Sequence, residues 1–466
     1  MSHLNKPNTM KTEKKNRDPR ITRRKFLAAA TSITAFTIVP RHVLGGPGQT
    51  PPSEKLNIAC IGVGGKGFDD VRNVSAENIV ALCDVDTKRA AEAFEMFPKA
   101  KRYSDYRRLL DQEKNLDAVV VATPDHHHIP ASVMAMRMGK HVYCEKPLGR
   151  NIAEVRLAAN VARECGVVTQ MGTTGHSSNS YRTAAALIKA GTIGEVKEVH
   201  VWCENEWDNP PRVVPDDGTL NSGDQQPKET PPVPEPLKWD LWLGPAPIRP
   251  YHPAYHPRNW RGWWDFGNGR LGDMGCHLID LPFSALDLKH PLTVETEGPR
   301  RVGQQVAPRW LIAKWTFPRR GNLPPVEITW YDGNQRPKLL KDVKPPEASF
   351  PWYVAFVGTE GMLITAAMER FKLYPENKFA GVKPPELSPR GINHFQDWIE
   401  ACKTGYPTRP GCHFGYAGPL TETVLLGTVA YRAGMKLEWD PVNLKATNCP
   451  EADRFIRREN RTGWTL

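Results

Sequence analysis

Leu56-Asn57-Ile58-Ala59-Cys60-Ile61-Gly62-Val63-Gly64-Gly65-Lys66-Gly67 is the stretch on which the reading of this 466-residue chain turns. Leu56–Ile61 is a short apolar run of the kind that forms a buried strand. Gly62 to Gly67 then fits G-x-G-x-x-G without a mismatch. In that pattern Gly62 permits a tight turn out of the strand, and Gly64 lets the backbone approach a pyrophosphate. Gly65 and Lys66 complete the loop, and Gly67 lets the next helix pack close to the strand, with the phosphates at its N-terminus. A second apolar run, Ile79–Cys83, ends on Asp84, 22 residues after Gly62, where a carboxylate accepts hydrogen bonds from an adenosine ribose. A Gly-rich structural turn needs no such combination of strand, helix and strand-end acid.

Outward from this stretch, helical and apolar segments alternate to about residue 173. A helix over Thr87–Phe97 is expected. The strand Ala118–Ala122 closes on Thr123-Pro124-Asp125-His126-His127-His128, and the strand His141–Cys144 ends in Glu145-Lys146-Pro147. A helix over Ile152–Cys165 and a strand over Val167–Met171, which contains Gln170, complete the series. Such alternation predicts a doubly wound parallel sheet with ligands at the strand C-terminal ends. The expected α/β organisation is a nucleotide-binding domain over 53–173 and an α+β domain on a mostly antiparallel sheet over 174–387. Helices over 388–466 are expected to pack back on the body. Within the second domain, 205–260 is a Pro/Trp-rich insertion. Residues 208–257 hold 13 of the 43 prolines, and seven of the 14 tryptophans lie between Trp202 and Trp264. Prolines exclude long regular elements there, and the aromatics favour an ordered insertion over a flexible linker.

The net charge of +11 is uneven: residues 1–50 carry ten Lys/Arg against Glu13 and Asp18, leaving only +3 for the rest. No basic stripe marks a nucleic-acid surface. Arg23-Arg24-Lys25-Phe26-Leu27 followed by the apolar Ala28–Val39 resembles a twin-arginine export signal, with cleavage expected in Val39–Thr50. The expected mature protein is soluble and periplasmic, exported folded by the twin-arginine (Tat) machinery, with no membrane anchor. The nine cysteines include no C-x-x-C pair, so neither a disulfide framework nor a zinc site is expected. The run His126-His127-His128 lacks the Cys or carboxylate partners of a metal site, and no metal is expected.

Together with Asp273-Met274-Gly275-Cys276-His277, the glycine motif, Asp84, Thr123-Pro124, His128 and Glu145-Lys146-Pro147 resemble the Gfo/Idh/MocA family of nicotinamide-dependent oxidoreductases. The resemblance covers roughly residues 55–440. It implies an N-terminal Rossmann domain, an open-faced sheet domain that commonly forms homodimers or homotetramers, and oxidation or reduction of a hydroxyl or carbonyl carbon on sugars and cyclitols. By the same resemblance Glu145 faces the cofactor ribose or nicotinamide amide, and His128 and Gln170 join the cofactor residues. Asp84 and Asp86 disfavour a 2′-phosphate, so NAD is expected over NADP.

Oxidising an alcohol requires a base for the hydroxyl proton while hydride leaves the same carbon. His277 is the candidate base, with Asp273 or Asp280 as the group that orients its ring. Lys146 is placed to stabilise negative charge on the reacting oxygen. A helix cap at Asp273 and a core histidine at 277 are the alternative. Tyr255, Trp260, Arg261 and Trp263, just before Asp273, are substrate candidates, or else a packed aromatic cluster. Three functions remain open: an NAD(P)-dependent oxidoreductase on a carbohydrate with a tightly held nicotinamide, a redox-neutral NAD-dependent glycosidase, and a carbohydrate-binding protein without turnover.

Overall fold

The computed structural model describes residues 54–204, 226–299, 305–387, 389 and 391–464. The leader and part of the Pro/Trp-rich insertion lie outside these residues. From Lys55 onward the chain forms one compact unit.

Its first half alternates strand and helix: β1 (Asn57–Ile61), α1 (Lys66–Asn73), β2 (Asn78–Cys83), α2 (Ala91–Met96), β3 (Lys101–Tyr103), α3 (Tyr106–Gln112), β4 (Ala118–Val121), α4 (Asp125–Arg137), β5 (His141–Cys144), α5 (Ile152–Cys165) and β6 (Thr169–Met171). The six strands are parallel in the order β3-β2-β1-β4-β5-β6. Chain direction across the sheet therefore reverses at β1, and the crevice between β1 and β4 opens at their C-terminal ends. The centre reads as unbroken apolar runs because helices cover both faces: every residue of β4 is buried. Helix α5 shows how local sequence sets the ends. Asn151 accepts the Glu154 N–H at its start, and Gly166 takes the left-handed conformation (φ 64°) at its end. Helix α2 starts four residues later than expected at Thr87, because the Asp86 carboxylate accepts the Lys88 and Arg89 N–H groups and holds a turn there.

After α6 (Asn179–Lys189) come β7 (Val196–Cys203), α7 (Trp239–Leu243), α8 (Gly269–Leu278) and α9 (Asp280–Ala285). Then follow β8 (Thr293–Glu297), β9 (Ile312–Phe317), β10 (Val326–Tyr331), β11 (Trp352–Gly358), β12 (Met362–Ala366) and β13 (Arg370–Tyr374). Next come α10 (His394–Thr404), α11 (Phe414–Ala433), β14 (Leu437–Asp440), β15 (Lys445–Ala446) and a last short helix, α12 (Asp453–Ile456). The nine strands form a second sheet, β13-β12-β11-β7-β10-β9-β8-β14-β15, antiparallel except for the β7–β10 pair. β9 and β10 alternate buried and half-buried residues, so one face packs on the core and the other is left more open. Helix α11 lies along α5, where buried Glu422 accepts from Arg156 Nε and Nη2, both at 2.6 Å. Helix α10 packs beneath the parallel sheet through Phe395, stacked 4.7 Å from Tyr143. No described helix is long and apolar enough to cross a membrane.

Candidate active site

The ends of β1, β2, β4 and β5 and one face of α8 converge on a cavity of about 790 Å³. Gly62, Gly64, Lys66, Asp84, Thr123, Pro124, Glu145, Lys146, Asp273 and His277 all line it. The glycine loop is held by sterics. Gly62 has φ 77°, and a Cβ there would lie 2.8 Å from the Ala122 carbonyl; at Gly67 a Cβ would lie 1.8 Å from the Gly62 oxygen. A Cβ on Gly64 would meet the Arg89 carbonyl at 2.9 Å, so this glycine also serves close packing of the turn after β2. Gly65, with φ 59°, lies under the Arg89 guanidinium.

Asp84 accepts Val63 N–H and Asp86 N–H, one on each oxygen, at 2.9 Å. The acid expected at the ribose therefore also fastens the glycine loop to β2, and each oxygen keeps a second lone pair for a ligand. Burial raises the Asp84 carboxyl, and these two donors oppose it. Thr123 Oγ1 is buried in the cavity wall without a hydrogen-bond partner, and Glu145 Oε1, buried there too, accepts no hydrogen bond and has only the Lys66 ammonium 3.5 Å away. A buried carboxylate oxygen and hydroxyl left open to a cavity are groups that a hydroxyl- and amide-bearing ligand completes. With the strand-end glycine cradle and the Lys66 charge, these residues fit a dinucleotide.

Lys146 Nζ donates to Asp273 Oδ1 at 2.7 Å and to the Asp273 carbonyl at 3.0 Å. Burial works against the Lys146 charge, but Asp273 and Glu145 outweigh it and keep the ammonium above its ordinary range. Burial would raise Asp273; Lys146 and then Arg261, 3.5 Å away, hold it well below the usual carboxylate range. His277 follows one turn later on α8, and its Nδ1 is buried without a partner. Burial, then the Lys146 charge, push its ring down to about 3, so it is neutral near pH 7. Neither expected orienter bonds to it. Asp273 is taken by Lys146, and Asp280 accepts from His176 at 2.9 Å and from Tyr416 at 2.5 Å.

The remaining expected residues divide. Trp260 and Arg261 line the cavity. Tyr255 and Trp263 do not: they are 2% and 1% exposed inside the aromatic cluster of the insertion, where the Trp263 indole N–H donates to the Ala254 carbonyl. Gln170 also lies away from the cavity, its amide donating to the His394 carbonyl on α10. His128 lines the wall as a strut, its ring nitrogens each 2.7 Å from the Thr123 and Pro147 carbonyls. Burial pushes its ring down to about 4. His126 and His127 turn their Nε2 atoms to the Trp242 carbonyl, both at 2.9 Å, so the three rings share no common point for an ion.

One residue escaped the sequence reading. Asp125, at the start of α4, lies in the cavity wall near Asn268. Burial, against the pull of Arg261, pushes its carboxyl up to about 7. Its signal was its place at the strand-end turn Thr123-Pro124-Asp125. Chemically, the site unites a neutral imidazole, a charged ammonium fixed by a carboxylate, and a carboxyl that titrates near neutrality.

Two family models match. Residues 56–173 fit the NAD-binding Rossmann fold of the GFO_IDH_MocA oxidoreductase family, and 220–317 fit its C-terminal alpha/beta domain. Inositol 2-dehydrogenase of Salmonella typhimurium is 29% identical over 151 residues, which is 31% of this chain and 45% of that protein. A glycosyl hydrolase family 109 protein of Stenotrophomonas maltophilia is 33% identical over 142 residues, 27% of this chain and 30% of that one. Each match thus spans less than half of the relative's length. The fold matches GenD2 from gentamicin A biosynthesis in complex with NAD (TM-score 0.57, 18% identity, covering 84% of this chain and 99% of that one). It also matches aldose-aldose oxidoreductase from Caulobacter crescentus (TM-score 0.56, 17% identity, 83% and 100%).

Proposed function

We propose that the chain is an oxidoreductase of the Gfo/Idh/MocA type, whose two domain models match residues 56–173 and 220–317, and that it moves hydride between NAD and a hydroxyl-bearing carbon of a sugar, glycoside or cyclitol. The observation that carries this reading is the Lys146–Asp273 pair beside the unpartnered His277 ring, at the strand ends where the dinucleotide fits. Bound NAD supplies the acceptor for hydride and, in reverse, its donor. The chain's own residues do the rest. His277 accepts the hydroxyl proton at a ring nitrogen that is free at neutral pH. Lys146 donates a hydrogen bond to the same oxygen and offsets its growing negative charge, while Asp273 fixes the ammonium. Trp260 and Arg261, with the guanidinium 4.3 Å over the indole ring, offer an apolar face and donors for a sugar.

The nicotinamide stays on the protein through a full cycle in this reading. The motivation is the leader: we place the mature protein in the periplasm, which offers no evident nucleotide pool, after Tat export in the folded state. Homodimers or homotetramers through the open sheet face are part of the same reading. A second reading, redox-neutral glycoside cleavage by transient oxidation, draws on the glycosyl hydrolase family 109 relative. The nucleotide released by denaturing the purified protein, before and after soaking with mixed glycosides and inositols, separates these. NADH that accumulates supports the oxidoreductase. NAD that stays oxidised while free sugar appears moves the assignment to glycoside cleavage, and a protein that neither contains nor takes up NAD defeats both.

A further inference from the structure

We propose that residues 236–258 and the C-terminal residues 461–464 form a fixed cover over the adenosine half of the dinucleotide site, making NAD a resident group that does not exchange between turnovers. This rests on the NAD reading above. The glycine loop marks the phosphates and Asp84 the ribose, so the loops after β2 and β4 flank the adenosine end. The inserted segment is bound to both.

On the β2 side it adds a short ladder. Thr87 N–H donates to the Pro236 carbonyl at 3.1 Å, Lys238 N–H donates to the Val85 carbonyl at 2.8 Å, and Leu237 pairs antiparallel with Asp86 between them. His256, farther along the insertion, returns to the same turn, 2.8 Å from Asp86 Oδ2. On the β4 side two buried imidazoles, His126 and His127, share the Trp242 carbonyl. Contact there is close enough that Gly244, at φ 50°, has no room for a side chain: a Cβ would lie 2.0 Å from His127 Cε1. The insertion has its own aromatic core, in which Trp239 and Trp242 stack at 4.6 Å and Trp242 meets Phe266 at 4.8 Å. A body anchored on both flanks of a crevice opens once one flank lets go, so each anchor slows the opening.

The chain end seals the edge. Arg461 donates from its N–H to the Pro245 carbonyl and ion-pairs with Asp240 at 2.6 Å. Trp464 then reaches the cavity wall between His127 (5.5 Å) and Tyr106 (5.8 Å), with the Arg107 guanidinium 3.9 Å over its ring. Neither segment contributes a residue to the Lys146–Asp273–His277 group, so the cover governs exchange of the nucleotide apart from the chemistry.

The test is exchange of bound NAD for isotopically labelled NAD in the purified full chain, followed by mass spectrometry of the nucleotide after gel filtration. Trp464→Ala removes the seal, and His256→Ala removes the strap's side-chain tie to Asp86 while leaving the backbone ladder; melting curves establish that each variant is folded. The wild type is expected to keep its original nucleotide for hours, and each variant to exchange at least tenfold faster. A wild type that binds NAD but exchanges it within seconds overturns the cover while leaving the NAD reading intact. Folded variants that both exchange at the wild-type rate overturn the assignment to these segments. A wild type that neither contains nor takes up NAD defeats the reading on which the cover rests, and the cover with it.

Discussion

His277 and Asp125 have exchanged the titration ranges that their residue types lead one to expect. The imidazole is pushed down to about 3 and the carboxyl up to about 7, each by burial first. The free protein therefore holds its candidate base ready across the neutral range. On lowering the pH, kcat/KM is not expected to fall through a midpoint near 6.5, the ordinary histidine value. A limb near pH 7 is expected instead from Asp125, which adds a negative charge beside Arg261 and Lys146 as it ionises. Asp125→Asn is expected to abolish that limb, and its survival in the variant would reassign it. His277→Ala is expected to cut turnover by about 10²–10⁴-fold while bound NAD is kept, the usual scale for losing a positioned base. Activity within a few-fold of wild type would remove His277 from that role.

At the scale of elements, the crevice is an agreement between a loop, a strand end and a helix start, and glycine decides whether they fit. Gly67→Ala would place a methyl 1.8 Å from the Gly62 carbonyl oxygen, inside the strand–helix contact. A destabilisation of about 1–3 kcal/mol is expected, the range for overpacking, together with loss of NAD uptake. Gly166 is the contrast: its left-handed φ of 64° ends α5, but a Cβ there meets nothing within 4 Å. Gly166→Ala is expected to cost about 1 kcal/mol and leave NAD in place, as urea midpoints and nucleotide content will show. These positions were legible because strand, turn and helix start are local patterns. Gln170, Tyr255 and Trp263 were not. Which way a strand residue or an aromatic in a proline-rich segment faces depends on packing from distant parts of the chain, here α10 and Phe266. The orienters of His277 were misjudged for the same reason, since helical spacing brings Asp273 and Asp280 near but cannot reveal Lys146, His176 and Tyr416 as their partners.

Over the whole molecule, the alternation of elements announced two sheets, but the number of buried titratable groups became visible only with the packing. His127, His128 and His394 are pushed down to about 4, His277 to about 3 and His126 well below its ordinary value, all by burial first. Between pH 6.5 and 4 the unfolded chain binds protons at these five positions that the folded chain refuses, so their effect is to lower stability as pH falls. Buried carboxyls act in the opposite sense. Asp125 and Asp332 are pushed up to about 7 and Asp70 to about 8, so the folded chain keeps protons that the unfolded chain has lost above its carboxylate range. The lowered imidazoles, His290 at about 4 among them, outnumber the raised carboxyls, Asp84 and Glu422 included, so the unfolded side takes up the larger number of protons as pH falls. Stability is therefore expected to decline steadily from pH 6.5 to 4.5. His126 and His127 carry the Trp242 carbonyl of the inserted strap, so nucleotide release is expected to accompany the decline. Urea midpoints measured across this window, with free nucleotide followed in parallel, check both. A midpoint that rises on acidification would mean that the buried carboxyls outweigh the imidazoles. A falling midpoint with the nucleotide still held would separate the loss of stability from the strap.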